Sequence, residues 1–112
     1  MLTLLDEQVP VEFAGVLDTA APGRHQIRTV AEMGWRGTKN GELLRRMREA
    51  GFDVMLTADR HIEHQQNIAR SGVGLVIMHP RRVRMQELVP LAPAVLDALD
   101  AVEPGVVIHV RP

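Results

Sequence analysis

The chain has 112 residues, the size of one domain with one core. Its apolar fraction of 46%, charged fraction of 24% and net charge of −1 match an ordinary globular protein and argue against a basic coat for nucleic acid. An enzyme that cuts RNA stays open, because local patches matter more than the total charge. There is no cysteine, which excludes a disulfide, a Cys-based zinc site and a thiol nucleophile, and makes a reducing cytoplasm the expected home.

Leu2 to Leu5 is a short apolar run and reads as a strand at the start of the chain, with no signal-peptide pattern before it. Pro10 opens a helix to about Asp18, since proline suits a first helical turn, and Ala20-Ala21-Pro22-Gly23 breaks it. Gln26 to Val30 reads as a second strand, and Met33 to Gly41 as a glycine-rich loop. Glu42 to Ala50 is the clearest helix, with Leu43, Leu44 and Met47 on one side, Asn40 as N-cap and Gly51 just past its end. Asp53 to Ala58 is a third strand, and Arg60 to Arg70 is a polar helical stretch. Val73 to Met78 is almost unbroken in its apolarity, as a strand covered on both faces should be. Met85 to Val102 is helical but interrupted by Pro90 and Pro93, and Val106 to Val110 is a fifth strand. No apolar run approaches the ~20 residues needed to span a membrane.

Alternation of strand and helix predicts a mainly parallel, about five-stranded sheet in a three-layer α/β/α sandwich, one domain over residues 1–112. The carboxyl ends of its strands then share one edge, where open α/β sheets bind ligands. Two runs end abruptly in a carboxylate: Leu4-Leu5-Asp6-Glu7 and Leu56-Thr57-Ala58-Asp59. On neighbouring parallel strands, Asp6 and Asp59 emerge side by side. They repel each other, and a divalent cation relieves that repulsion. Glu42, in the first turn of the helix after the glycine-rich loop, is the natural third member, with Glu7 adjacent. Such a set suits Mg²⁺ or Mn²⁺ and the activation of water against a phosphodiester. Both Asp residues are equally well suited to capping the helices that follow.

Other polar residues carry weaker signals. Arg60, Lys39 and Arg36 sit beside the carboxylates or in the loop and are candidates for binding phosphate, although loop charges are usually only solvated. His61 and His64 have a spacing that can bind zinc, but a third ligand is needed. His25 and His109 stand without supporting context. Trp35 reads as a core-edge plug or a partner contact ahead of a base-stacking platform.

Leu-Leu-Asp-Glu-Gln-Val-Pro at 4–10, Glu-Met-Gly-Trp-Arg-Gly at 32–37 and Leu-Thr-Ala-Asp-Arg at 56–60 resemble the PIN-like family, and within it the small members of bacterial toxin–antitoxin pairs. The resemblance runs in order from residue 2 to about residue 79. It implies an endoribonuclease that hydrolyses RNA with Mg²⁺- or Mn²⁺-activated water, restrained by a small cognate antitoxin, with a homodimer as a further option. Asp6, Glu42 and Asp59 would match the catalytic metal ligands, with Glu7 and Asn40 as additional candidates. Two positions depart from the pattern. Asn40 stands where related sequences carry an acidic residue, and His79-Pro80 stands where a fourth carboxylate often follows the fourth strand. The alternative is therefore a catalytically impaired module of the same fold that binds protein or RNA. A receiver-like phosphoacceptor also gathers Asp at strand ends, but it needs a Lys after the fifth strand, where this chain has Arg111.

Overall fold

The five apolar runs pair into a single sheet in the computed structural model, which describes residues 1–112. The strands are β1 (Leu2–Leu5), β2 (Gln26–Thr29), β3 (Val54–Thr57), β4 (Gly74–Met78) and β5 (Val107–Val110), in the order β2-β1-β3-β4-β5 and all parallel. Parallel neighbours need crossovers. These carry helices α1 (Glu12–Ala20), α2 (Asn40–Glu49), α3 (Ile62–Gln65), α4 (Met85–Leu88) and α5 (Ala92–Ala101). No helix is long and apolar enough to cross a membrane.

Strand side chains alternate between faces, and here each face has its own core. Leu5, Val54, Leu56, Val76 and Met78 pack with Phe13 and Leu17 of α1 and with Val95 and Leu99 of α5. Leu4, Met55, Leu75 and Ile77 pack with Leu43, Leu44 and Met47 of α2 and with Ile62 and Ile68. Helices thus cover both sides, and the architecture is the α/β/α sandwich that the alternation predicts. The central strands β3 and β4 are buried at every position, so apolarity without alternation is the right code for them.

Local chemistry explains where elements stop and where they depart from the sequence expectation. At the end of α2, Gly51 adopts φ 85°, its N–H reaches Arg48 O, and the Phe52 N–H reaches Met47 O at 2.9 Å. The two bonds satisfy terminal carbonyls, and only glycine takes that backbone region cheaply. The start of α2 differs from expectation: Asn40 is its first residue, not its cap, and Lys39 precedes it in extended conformation. The stretch 60–70 is not one helix. It divides into α3 and a 3₁₀ turn at Ile68–Arg70. Ile62 and Ile68 both enter the α2-side core, yet six residues of α-helix would turn them about 240° apart; a break lets both face inward. Between α4 and α5 the chain passes through a 3₁₀ turn, Val89–Leu91, where Pro90 cannot donate a helical hydrogen bond.

The strand order also locates the crevice. From β1 the chain first steps outward to β2, then returns to place β3 on the other side of β1. Crossovers diverge at such a switch point, leaving an opening at the carboxyl ends of the two strands.

Candidate functional site

Asp6 and Asp59 meet at that opening. Leu5 pairs with Leu56 in register, and the Asp6 N–H donates to Leu56 O at 3.0 Å, carrying the β1–β3 ladder one residue beyond the strand. Both aspartates line a cleft of about 490 Å³ together with Glu7, Gln8, Thr38, Lys39, Asn40, Gly41, Gln65 and Gln66. No hydrophobic side chain contributes to its lining.

Thr57, which the sequence pattern does not single out, organises the pair. Thr57 is completely buried at the end of β3. Its hydroxyl donates to Asp6 Oδ2 at 2.7 Å and accepts the Asp59 N–H at 3.0 Å. A single oxygen therefore fixes both carboxylate-bearing segments. The signal was present in the sequence, as a lone hydroxyl closing the otherwise apolar Val-Met-Leu-Thr run. Asp6 also accepts the Glu7 N–H at 2.9 Å, and Asp59 accepts the His61 N–H at 2.9 Å. The latter bond closes a turn ahead of α3, but neither aspartate caps a helix: α1 and α3 start behind Val11 and His61, without a side-chain cap.

Electrostatically the pair is uncompensated. Asp6 is only 7% exposed, and burial pushes its carboxyl above the usual range; the neighbouring Asp59 and Glu7 charges push the same way, against the lowering effect of the Thr57 and Glu7 hydrogen bonds. No Lys, Arg or His forms an ion pair with Asp6 or Asp59. The Asn40 amide lies 3.4 Å from Asp59 Oδ2. It is thus Asn40, not Glu42, that α2 offers to the cleft.

Glu42 is not brought to the pair. Its carboxylate is held by Arg45 and by Arg46 Nε at 3.3 Å, and the Arg45 hydrogen bond keeps it below the usual carboxylate range. Two residues of helix separate Asn40 from Glu42 by about 200°, so both cannot look the same way. Asn40 shares the face of Leu43, Leu44 and Met47, which the apolar spacing already indicated. Glu7 lies at the cleft with one oxygen accepting the Gly37 N–H at 3.1 Å, which ties the glycine-rich loop to the site.

Of the three candidate phosphate contacts, Lys39 alone lines the cleft. Arg60 turns away and donates to Pro80 O at 2.7 Å, bracing the end of β4. Arg36 lines a smaller recess of about 280 Å³ on the other side of Asp6 and Glu7. Trp35 packs on Phe52, with ring centroids 5.8 Å apart, and so belongs to the edge of the core.

Two histidines are held closely by carboxylates, His109 by Glu63 and His25 by Asp100. His109 bridges His79 and Glu63: its Nδ1 is 2.7 Å from His79 Nε2, and its Nε2 is 2.8 Å from Glu63 Oε1. His109 stands on edge strand β5, a context invisible until β5 is laid beside β4. His25 is buried against Asp100, with Nε2 at 3.0 Å from Oδ1. His61 and His64 gather no third ligand, and no group of three or more His, Asp or Glu side chains is arranged to enclose a metal. No family model, no curated protein and no solved structure matches this chain.

Proposed function

We propose that the protein is a metal-dependent endoribonuclease of the PIN-like family, the toxin of a toxin–antitoxin pair, acting at the Asp6–Asp59 cleft. The observation that carries this reading is the pair itself: two carboxylates at the β1–β3 switch point, one held by a buried hydroxyl that also anchors the backbone of the other, and neither with a cationic partner. Burying a carboxylate beside a second like charge is unfavourable unless something relieves it. A cation is the relief that the donor chemistry fits. Carboxylate and amide oxygens suit hard ions, and Mg²⁺ commonly uses one or two carboxylates while keeping several waters. Asp6 and Asp59 would hold the ion, with Asn40 and Glu7 at its margin. When bound, it lowers the pKa of a coordinated water and neutralises charge developing on a phosphate.

The rest is done by the chain's own residues. Thr57 orients the Asp6 carboxylate directly and anchors the Asp59 backbone from which the second carboxylate extends. Lys39, Gln8, Gln65 and Gln66 line the cleft and can hold phosphate oxygens and sugar hydroxyls, contacts that position without reading sequence. A lining without apolar side chains suits a hydrated, charged polymer better than an apolar small molecule.

One observation favours the second reading, a PIN-like module that binds protein or RNA without cutting it. Helix α2 presents the neutral Asn40 to the cleft and turns Glu42 outward, so this helix adds no negative charge to the site. The strand order is shared with receiver-like domains, but Arg111 after β5 leaves the phosphoacceptor reading without its lysine. The experiment that separates cutting from binding is a metal titration with RNA cleavage as readout, on wild type and Asn40→Asp. The nuclease reading expects Mg²⁺- or Mn²⁺-dependent cleavage by wild type and a lower metal requirement for Asn40→Asp. The binding-module reading expects no cleavage by either protein, over a broad RNA panel and free of antitoxin.

A further inference from the structure

A second concavity of about 300 Å³ adjoins the carboxylate cleft and differs from it in charge. It is lined by Arg45, Arg48, Arg70, Gln66, Asn67 and Ser71, with Gly41 and Leu44 completing it; Gly41 and Gln66 belong to both concavities. The boundary between them is low because Gly41 has no side chain: a Cβ there would sit 3.2 Å from Gln66 Oε1.

The arginines are not equivalent. Arg45 is consumed by Glu42 and Glu49, two carboxylates on its own helix. The side chains of Arg48 and Arg70 have no ion pair and no hydrogen bond within the protein. Arg48 is also seated. Its guanidinium lies over Gly72, where a Cβ would meet Nε and Cδ at 2.9 Å, and Gly72 holds φ 79°. The loop after the Ile68–Arg70 turn thus leaves room for a cation to lie across it, next to a second unpaired cation. Two unpaired arginines lining one concavity offer a site for an external anion, and guanidinium groups match phosphate geometry.

We propose that this groove binds the phosphate backbone of a single-stranded polynucleotide, delivering the next segment over Gly41 and Gln66 to Asp6 and Asp59. Arg48 and Arg70 are the phosphate contacts, and Gln66 and Asn67 offer amides to sugar or base. The choice of a polynucleotide over another polyanion rests on the nuclease reading above; the exposed positive charge does not.

The test is fluorescence anisotropy with a 5′-labelled oligouridylate in EDTA, over a salt series, so that no metal chemistry enters. Wild type is compared with Arg48→Gln/Arg70→Gln and with Arg81→Gln/Arg82→Gln, which removes the same charge from the exposed loop after β4. Each lost phosphate contact on a single strand lowers the slope of log K against log salt by about 0.7. The groove variant is therefore expected to bind more weakly, with a slope shallower by about 1.4, and the control to match wild type. Equal effects of the two double variants, or an unchanged slope in the groove variant, overturn the proposal. So does displacement of the oligonucleotide by polyglutamate as effectively as by unlabelled oligouridylate, which would reveal a site for acidic protein. If wild type and variants bind as expected but no Mg²⁺- or Mn²⁺-dependent cleavage occurs, the groove stands and the nuclease reading falls.

Discussion

Replacing Thr57 by valine tests the hydroxyl that joins the Asp6 carboxylate to the backbone of Asp59. Valine keeps the branched shape, so no cavity opens; what disappears is one donor and one acceptor. The bond to Asp6 Oδ2 is 2.7 Å long, fully buried and made to a carboxylate, a class that contributes about 1.5–3 kcal/mol. The Asp59 N–H, 3.0 Å from the hydroxyl, loses its acceptor for about 0.5–1.5 kcal/mol. The total is about 2–4.5 kcal/mol. At about 2.1 cal/mol/K of unfolding entropy per residue, the 112-residue chain loses about 9–19 °C in Tm. The hydroxyl also lowers the Asp6 pKa, so its removal pushes that carboxyl further up and weakens divalent cation binding. Thermal unfolding by circular dichroism in EDTA, followed by titration with Mn²⁺, measures both effects. Thr57→Ser keeps the hydroxyl and should restore the metal affinity and most of the stability. A valine variant as stable and as responsive to Mn²⁺ as the serine variant would refute the assigned role of Thr57.

The titrating groups give predictions of opposite sign. Asp6 has a raised folded pKa, through burial first and the Asp59 charge besides, so the folded state binds the extra proton: its contribution is present below the unfolded value of 3.8 and is lost as pH rises through the folded pKa. Asp6→Asn should therefore gain in Tm on wild type as pH is raised from acid to neutral without metal, and saturating Mg²⁺ should narrow the gap; a gap independent of pH contradicts the assignment. His79 has a lowered pKa, through burial and then the Arg111, His109 and Arg60 charges, with Glu63 opposing. Its stabilisation is present above 6.5 and is lost as pH falls through the folded value, which imidazole NMR should register as titration below 6.5. Gly74→Ala places a Cβ 2.8 Å from Val102 Cγ2 and 3.0 Å from Glu103 O, an overpacking that costs about 1–3 kcal/mol; chemical denaturation should show it as a lower midpoint with an unchanged slope.

The sheet was legible because burial on both faces leaves a simple trace. Runs such as Val73 to Met78 are apolar throughout, and the carboxylates that end two of them had to fall at the strand edge. Which strands are neighbours is a long-range choice, yet it decides whether Asp6 meets Asp59; the β1–β3 pairing settled it. The helix contribution was misread by two residues, and in a helix two residues reverse the face. Glu42 then finds Arg45 and Arg46 one turn on, the ordinary fate of a solvent-facing glutamate. Arg60 was assigned by adjacency to Asp59, but successive residues point different ways, and its side chain goes to Pro80 O. The Glu63–His109–His79 chain joins α3, β5 and the end of β4, segments far apart in sequence, so no local pattern announced it.

The most direct test of the central claim is RNA cleavage by purified protein free of any antitoxin, in Mg²⁺ or Mn²⁺, with wild type beside Asp6→Ala and Asp59→Ala. Circular dichroism accompanies each protein to establish that it is folded. The account predicts cation-dependent cleavage by wild type, suppressed by EDTA, and its loss in both variants with secondary structure retained. Folded wild type that cuts no RNA with either cation, or variants that cut as well as wild type, would contradict it.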